Sequence, residues 1–250
     1  MRLDHEHRSW TPPLPMRALG EETLVVLSLS LLASAVFAIL TLFEAPISGV
    51  RVVTVSQSPS FVRQFVGIAF GLAPVWLVSY LVRRDGEGHA SIGLAFDRAI
   101  EDLLRGLALF VLVAAGGIAV YLGSVALGVN RFVLPVPPLG HWWTIPILIL
   151  TALQAGLLEE IVVVAYLVTR LRQLGMTEFG AIAASALLRG SYHLYQGWGG
   201  FLGNVAMGLL FGFVFSRTRR AWPIVIAHTL LDIGAGVGFI LFRHHLPGFS

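Results

Sequence analysis

Gly156-Leu157-Leu158-Glu159-Glu160-Ile161-Val162-Val163-Val164-Ala165-Tyr166 decides how this chain is read. Two adjacent carboxylates lie inside an apolar run from Trp142 to Val168 that is long enough to cross a bilayer. An ionised carboxylate in hydrocarbon costs several kcal/mol, so these two need partners. Two further pairs, each four residues apart in apolar segments, supply candidates: Arg189 with His193, and His228 with Asp232.

The rest of the composition agrees with a membrane setting. Of 250 residues, 56% are hydrophobic and 12% charged. Soluble domains carry about 25% charged residues. The absence of cysteine excludes disulfides, thiolate metal sites and cysteine nucleophiles. All 17 basic residues are arginine and the net charge is only +3. The arginines cluster at the ends of apolar runs, which reads as a topology signal and not as a nucleic-acid surface.

Hydrophobic runs predict an all-α, polytopic bundle of about seven spans. They are Thr23–Phe43, Phe61–Val82, Gly106–Gly128, Trp143–Val168, Glu178–Leu194, Phe201–Phe215 and Trp222–Phe242. Residues 1–20 read as a disordered cytoplasmic tail and 21–250 as a single transmembrane domain. Ala33-Ser34-Ala35 resembles a signal cleavage site, but the apolar run continues to Phe43, which favours an uncleaved helix. The stretches 44–59 and 135–138 read as loops. Trp142 and Trp143 fit an interfacial anchor. Gly67/Gly71 and Gly208/Gly212 have the spacing of close helix packing, and Asn204 that of an interhelical hydrogen bond. With seven spans, most arginines fall on the side of the N-terminus. The positive-inside rule then makes that side cytoplasmic, in a multi-pass protein of a cell's inner (plasma) membrane.

Neighbouring glutamates on an α-helix point about 100° apart, so Glu159 and Glu160 cannot share one partner equally. Counted from helix ends, Glu159 lies roughly 14 Å deep and His193 roughly 22 Å, an imperfect match. A carboxylate beside an imidazole can deprotonate a water and steer it to a carbonyl. A second imidazole one turn from an acid can stabilise the oxyanion. The same groups could instead bind a divalent metal, but neither His-Glu-x-x-His nor Glu-x-x-His occurs. They could also merely hold helices together.

At these residues the sequence resembles the CAAX protease and bacteriocin-processing (CPBP, or Abi) family of intramembrane glutamate endopeptidases, which includes the type II CAAX prenyl endopeptidases. Its signature is Glu-Glu-x-x-x-Arg, then Phe-x-x-x-His, then His-x-x-x-Asn/Asp. Glu159-Glu160, His193 and His228…Asp232 match in order, within a core of about residues 140–240. The resemblance implies that Glu159 activates water with help from His193, and that His228 and Asp232 form the oxyanion site. Glu160 supports them. It also implies no metal and no other cofactor, a bacterial source, the lipid bilayer as surroundings, and a peptide or lipid-anchored protein as substrate. Two positions depart from the signature. Val164 stands where the first motif has arginine, and Arg189 where the second has phenylalanine. Arg189 is therefore expected to supply the missing guanidinium and to pair with Glu160 or Glu159. Asp232 can donate to an oxyanion only when protonated; otherwise it orients His228. The rival readings are a catalytically inactive scaffold or chaperone on the same fold, and a proton-relay transporter. The transporter reading lacks the internal repeats and broken helices it leads one to expect.

Overall fold

The computed structural model describes residues 14–44, 52–56, 60–128, 132–136 and 140–242. Helices dominate: α1 (Met16–Ser28), α2 (Leu31–Glu44), α3 (Phe61–Gly71), α4 (Ala73–Arg84), α5 (Ala99–Ala126), α6 (Thr144–Leu158), α7 (Leu167–Gln173), α8 (Glu178–Tyr192), α9 (Trp198–Thr218) and α10 (Trp222–Phe242). A π-helical segment, Glu159–Tyr166, joins α6 to α7 without a break. Helix α1 thus begins inside the stretch read as a tail; residues 1–13 lie outside the described residues. Two short strands, β1 (Val52–Ser56) and β2 (Phe132–Val136), pair in parallel with Val52 opposite Phe132. The sequence reading had loops there. Their β-branched residues suit a ladder, and Pro135 is tolerated because a two-stranded sheet has only edges.

The polytopic helix bundle agrees with the sequence; its candidate spans among the described residues number five, or six if one bent helix pair counts as a span, against about seven expected. Among the described residues, five helical stretches are long and apolar enough to cross a membrane: Phe61–Arg84, Ala99–Ser124, Thr144–Gln173, Trp198–Thr218 and Trp222–Leu241. The segment read as a first span is a pair, α1 and α2, bent by 59°. At the bend the Ser30 hydroxyl donates to the Val26 and Leu27 carbonyls, competing with the backbone ladder. The segment read as a fifth span is the 15-residue α8. It is too short to span alone, and Ser185, Arg189 and Gly190 on it are buried.

Residues 160–168 are buried without interruption. A helix apolar all round belongs at the centre of a bundle, and here α4, α8, α9 and α10 surround it. Close approach sets the neighbours. A Cβ on Gly156 would lie 2.5 Å from Thr229 Oγ1, and one on Gly208 would lie 2.9 Å from Ala186 Cα. Gly208 and Gly212 therefore seat α9 on α8 as their spacing predicts. Of the other pair, Gly71 meets only the Gln154 side chain and Gly67 meets nothing. Trp142 is exposed and Trp143 buried.

Ion pairs tie the arginine-bearing helix ends together. Arg170, fully buried, donates to Gln173 (2.8 Å), Asp85 (3.1 Å), Glu22 (3.3 Å) and Glu87, while Tyr166 donates to Glu22 (3.0 Å). Arg220 holds Asp97 (2.9 Å), Asp102 (2.7 Å) and the Ala95 carbonyl (3.1 Å). Pairing with Arg220 holds the Asp97 carboxyl below its ordinary range. Ala221 N–H donates to Gly93 O (3.0 Å), and Ser216 to Glu178 (2.8 Å). The α1 end, the α4–α5 connection, the α7–α8 turn and the α9–α10 turn thus lie at one end of the bundle. Arg170 and Arg220, read from sequence as topology signals, are structural. Arg170→Ala takes the arginine from Glu87 and leaves Glu22 and Asp85 to Arg84 alone. It is expected to destabilise the fold by about 3–5 kcal/mol, seen as a lower melting temperature in detergent.

Candidate active site

The π-helical segment brings both glutamates toward α8 and α10. Its wider turns, closed by i→i+5 bonds, reorient the carboxylates relative to an α-helix. The Ser185 hydroxyl on α8 donates to the Val163 carbonyl (2.6 Å), fixing this segment against α8.

Helix α7 continues to Gln173, beyond the Val168 end inferred from hydropathy. Glu159 is therefore about 21 Å from the arginine-bearing end of its helix, level with His193 at about 22 Å from Glu178. The depth mismatch came from ending the helix too early.

Arg189 sits at the centre. Its Nη1 is 2.6 Å from Glu160 Oε1, and its Nη2 is 3.4 Å from Glu159 Oε2 and 3.2 Å from His228 Nδ1. His228 Nδ1 is 2.7 Å from Glu160 Oε1. That shorter contact to an acceptor assigns the proton to Nδ1. Arg189 and Glu160 are both fully buried. Arg189 thus pairs mainly with Glu160 and reaches Glu159 second. The guanidinium fills the space between the two carboxylates and the His228 ring that a divalent cation would need. Among the described residues, no three His, Asp or Glu side chains converge as metal ligands.

Glu159 has looser company. Tyr192 Oη donates to its Oε2 (2.8 Å), and His193 Nε2 faces the same oxygen at 3.6 Å. That distance exceeds a direct hydrogen bond. Gln196 Nε2 lies 3.2 Å from His193 Nδ1 and donates to it, which leaves the His193 proton on Nε2, aimed toward Glu159. On α10, His228 Nε2 lies 3.6 Å from Asp232 Oδ2.

Two cavities meet at this cluster. The larger, about 890 Å³, lies between α5, α9 and α10 and has an apolar, glycine-rich wall; His193, His228 and Asp232 line it. The smaller, about 400 Å³, lies between α2 and the end of α8; Glu159, Tyr192 and His193 line it together with Ser34 and Thr41. His193 borders both.

All six residues singled out in the sequence, Glu159, Glu160, Arg189, His193, His228 and Asp232, thus come together. Tyr192 and Gln196 were missed as partners. Their adjacency to His193 was the available signal. Asn204 departs from expectation: its amide donates to Gly200 O within its own helix (2.9 Å), while it lines the larger cavity.

The bundle and its embedded polar cluster define a multi-pass membrane protein with a candidate intramembrane site. Residues 141–234 match the model of the Rce1-like family, described as type II CAAX prenyl endopeptidase Rce1-like. The match takes in the whole cluster and bears out, over that span, the recognition made from the three motifs. The matched family is one of proteases. No curated protein and no solved structure matches the chain.

Proposed function

We propose that the protein is a metal-independent, glutamate-type endopeptidase that hydrolyses a peptide bond of a membrane-associated substrate. One observation carries this reading: Glu159 Oε2 and His193 Nε2 face each other at 3.6 Å where the two cavities meet. A water or carbonyl oxygen that bridges such a pair meets an acceptor on one side and a donor on the other. Glu159 takes a proton from water. The oxygen attacks the carbonyl carbon, and the Glu159 proton passes to the amide nitrogen as the C–N bond breaks. The products are an acid and an amine. Glu160 and Arg189 position this site. His228 and Asp232 complete it on the side of the larger cavity, and a proton on either makes the pair a donor to the oxyanion. The smaller cavity, with its hydroxyl-bearing wall, suits water; the larger, apolar one suits a lipid-anchored or membrane-embedded peptide.

The same reading makes residues 21–250 one transmembrane unit. The gathered arginine-rich ends support a cytoplasmic N-terminus by the positive-inside rule. The test is cleavage. Wild type, Glu159→Gln and His228→Ala are incubated in nanodiscs with membrane-anchored peptides, and the products are read by mass spectrometry. Cleavage by the wild type, lost in both variants at unchanged melting temperature, upholds the reading. If the wild type cleaves nothing and both variants melt markedly earlier, the cluster is structural.

A further inference from the structure

We infer that Asp232 and His228 together form a subsite for a cationic side chain, lysine or arginine, beside the scissile bond of the substrate. This deepens the peptidase reading and rests on it. The Asp232 side chain is 42% exposed, and it opens onto the larger cavity. It is the only acidic residue in that cavity wall among the described residues. The rest of the wall is apolar or glycine, apart from Gln196, Asn204 and the two histidines. A carboxylate among such groups is costly without a counter-charge. The protein spends its nearby guanidinium elsewhere, since Arg189 is held by Glu160 and Glu159.

Hydrogen-bond accounting at His228 points the same way. Its Nδ1 proton is committed to Glu160, and in the neutral ring Nε2 presents a lone pair. That lone pair and Asp232 Oδ2 are two acceptors only 3.6 Å apart on one wall. A donor between them satisfies both, and an ammonium or guanidinium also neutralises the carboxylate. The aliphatic stem of lysine or arginine suits the apolar wall that leads there. A cation so placed stands in for the proton that would otherwise make the pair a donor, and it puts positive charge beside the carbonyl under attack.

The probes are two sets of lipid-anchored fluorogenic peptides, identical except for lysine or norleucine at each position in turn. Wild type, Asp232→Asn and Asp232→Glu are compared in nanodiscs. The expected result is a kcat/KM preference for lysine at one position of roughly ten-fold or more, carried by KM. The preference collapses to about one in Asp232→Asn and survives in part in Asp232→Glu. No lysine preference in the wild type, or one that persists in Asp232→Asn, overturns the proposal. Binding of the same peptides to Glu159→Gln and to Glu159→Gln/Asp232→Asn, followed by fluorescence anisotropy, separates this from the peptidase reading. Lysine-selective binding that requires Asp232, without cleavage by the wild type, upholds the subsite and sinks the peptidase. Equal binding of both peptide sets sinks the subsite.

Discussion

Arg189→Ala is expected to destabilise the protein by about 3–5 kcal/mol and to abolish activity. The guanidinium is fully buried and is the counter-charge for two carboxylates, Glu160 at 2.6 Å and Glu159 at 3.4 Å. Its removal strands both and loosens the His228 ring that Glu160 holds. Arg189→Lys is not a conservative rescue, because one ammonium cannot reproduce a planar fork aimed at two carboxylates and a ring nitrogen. A sharper rescue is Arg189→Ala combined with Val164→Arg. Val164 lies on the same segment as the glutamates and is fully buried. It stands at the position where the family signature carries arginine. The double variant should regain melting temperature and activity relative to Arg189→Ala. If it is no better than the single variant, the idea that one arginine has moved between helices fails.

Glu159→Gln is expected to lower kcat by a factor of about 10² to 10⁴ while melting stays within about 1 kcal/mol of wild type. Glutamine keeps an oxygen that accepts from Tyr192, but it cannot take a proton from water. Glu160→Gln should behave differently. That carboxylate is fully buried and makes the short contacts to both Arg189 and His228, so its neutralisation leaves a buried guanidinium short of charge. Thermal unfolding and turnover measured on both variants check the contrast. Equal loss of stability in the two would mean that neither glutamate is set apart for chemistry, and the cluster would be helix glue.

The polar cluster was legible in the sequence because charge inside an apolar run is rare and demands a partner. Three sets of such residues in motif order left few ways to pair them. The pairing of Arg189 with the glutamates was legible for the same reason. The span count was not. Thr23–Phe43 and Glu178–Leu194 have the composition of spans, but one is bent where a single serine hydroxyl competes for backbone carbonyls, and the other stops at 15 residues. Hydropathy averages over both effects. The network around Arg170 was hidden because arginine, aspartate and glutamate at helix ends look solvated in one dimension. Its partners come from positions as far apart as Glu22 and Gln173. The π-helical segment has no compositional signature, since Glu159–Tyr166 is as apolar and β-branched as an ordinary buried helix.

That segment makes helix winding part of what holds the polar cluster together. A wide turn holds one residue more than an α-helical turn. Winding the same residues as an ordinary α-helix would rotate α6 by about 100° relative to α7. Everything upstream would then be out of phase. Gly156 would turn away from Thr229 and Gln154 from Gly71, and both carboxylates would swing off Arg189. The segment works as a spacer whose wide winding absorbs one extra residue and so keeps the two halves of one long helix in register with their different neighbours.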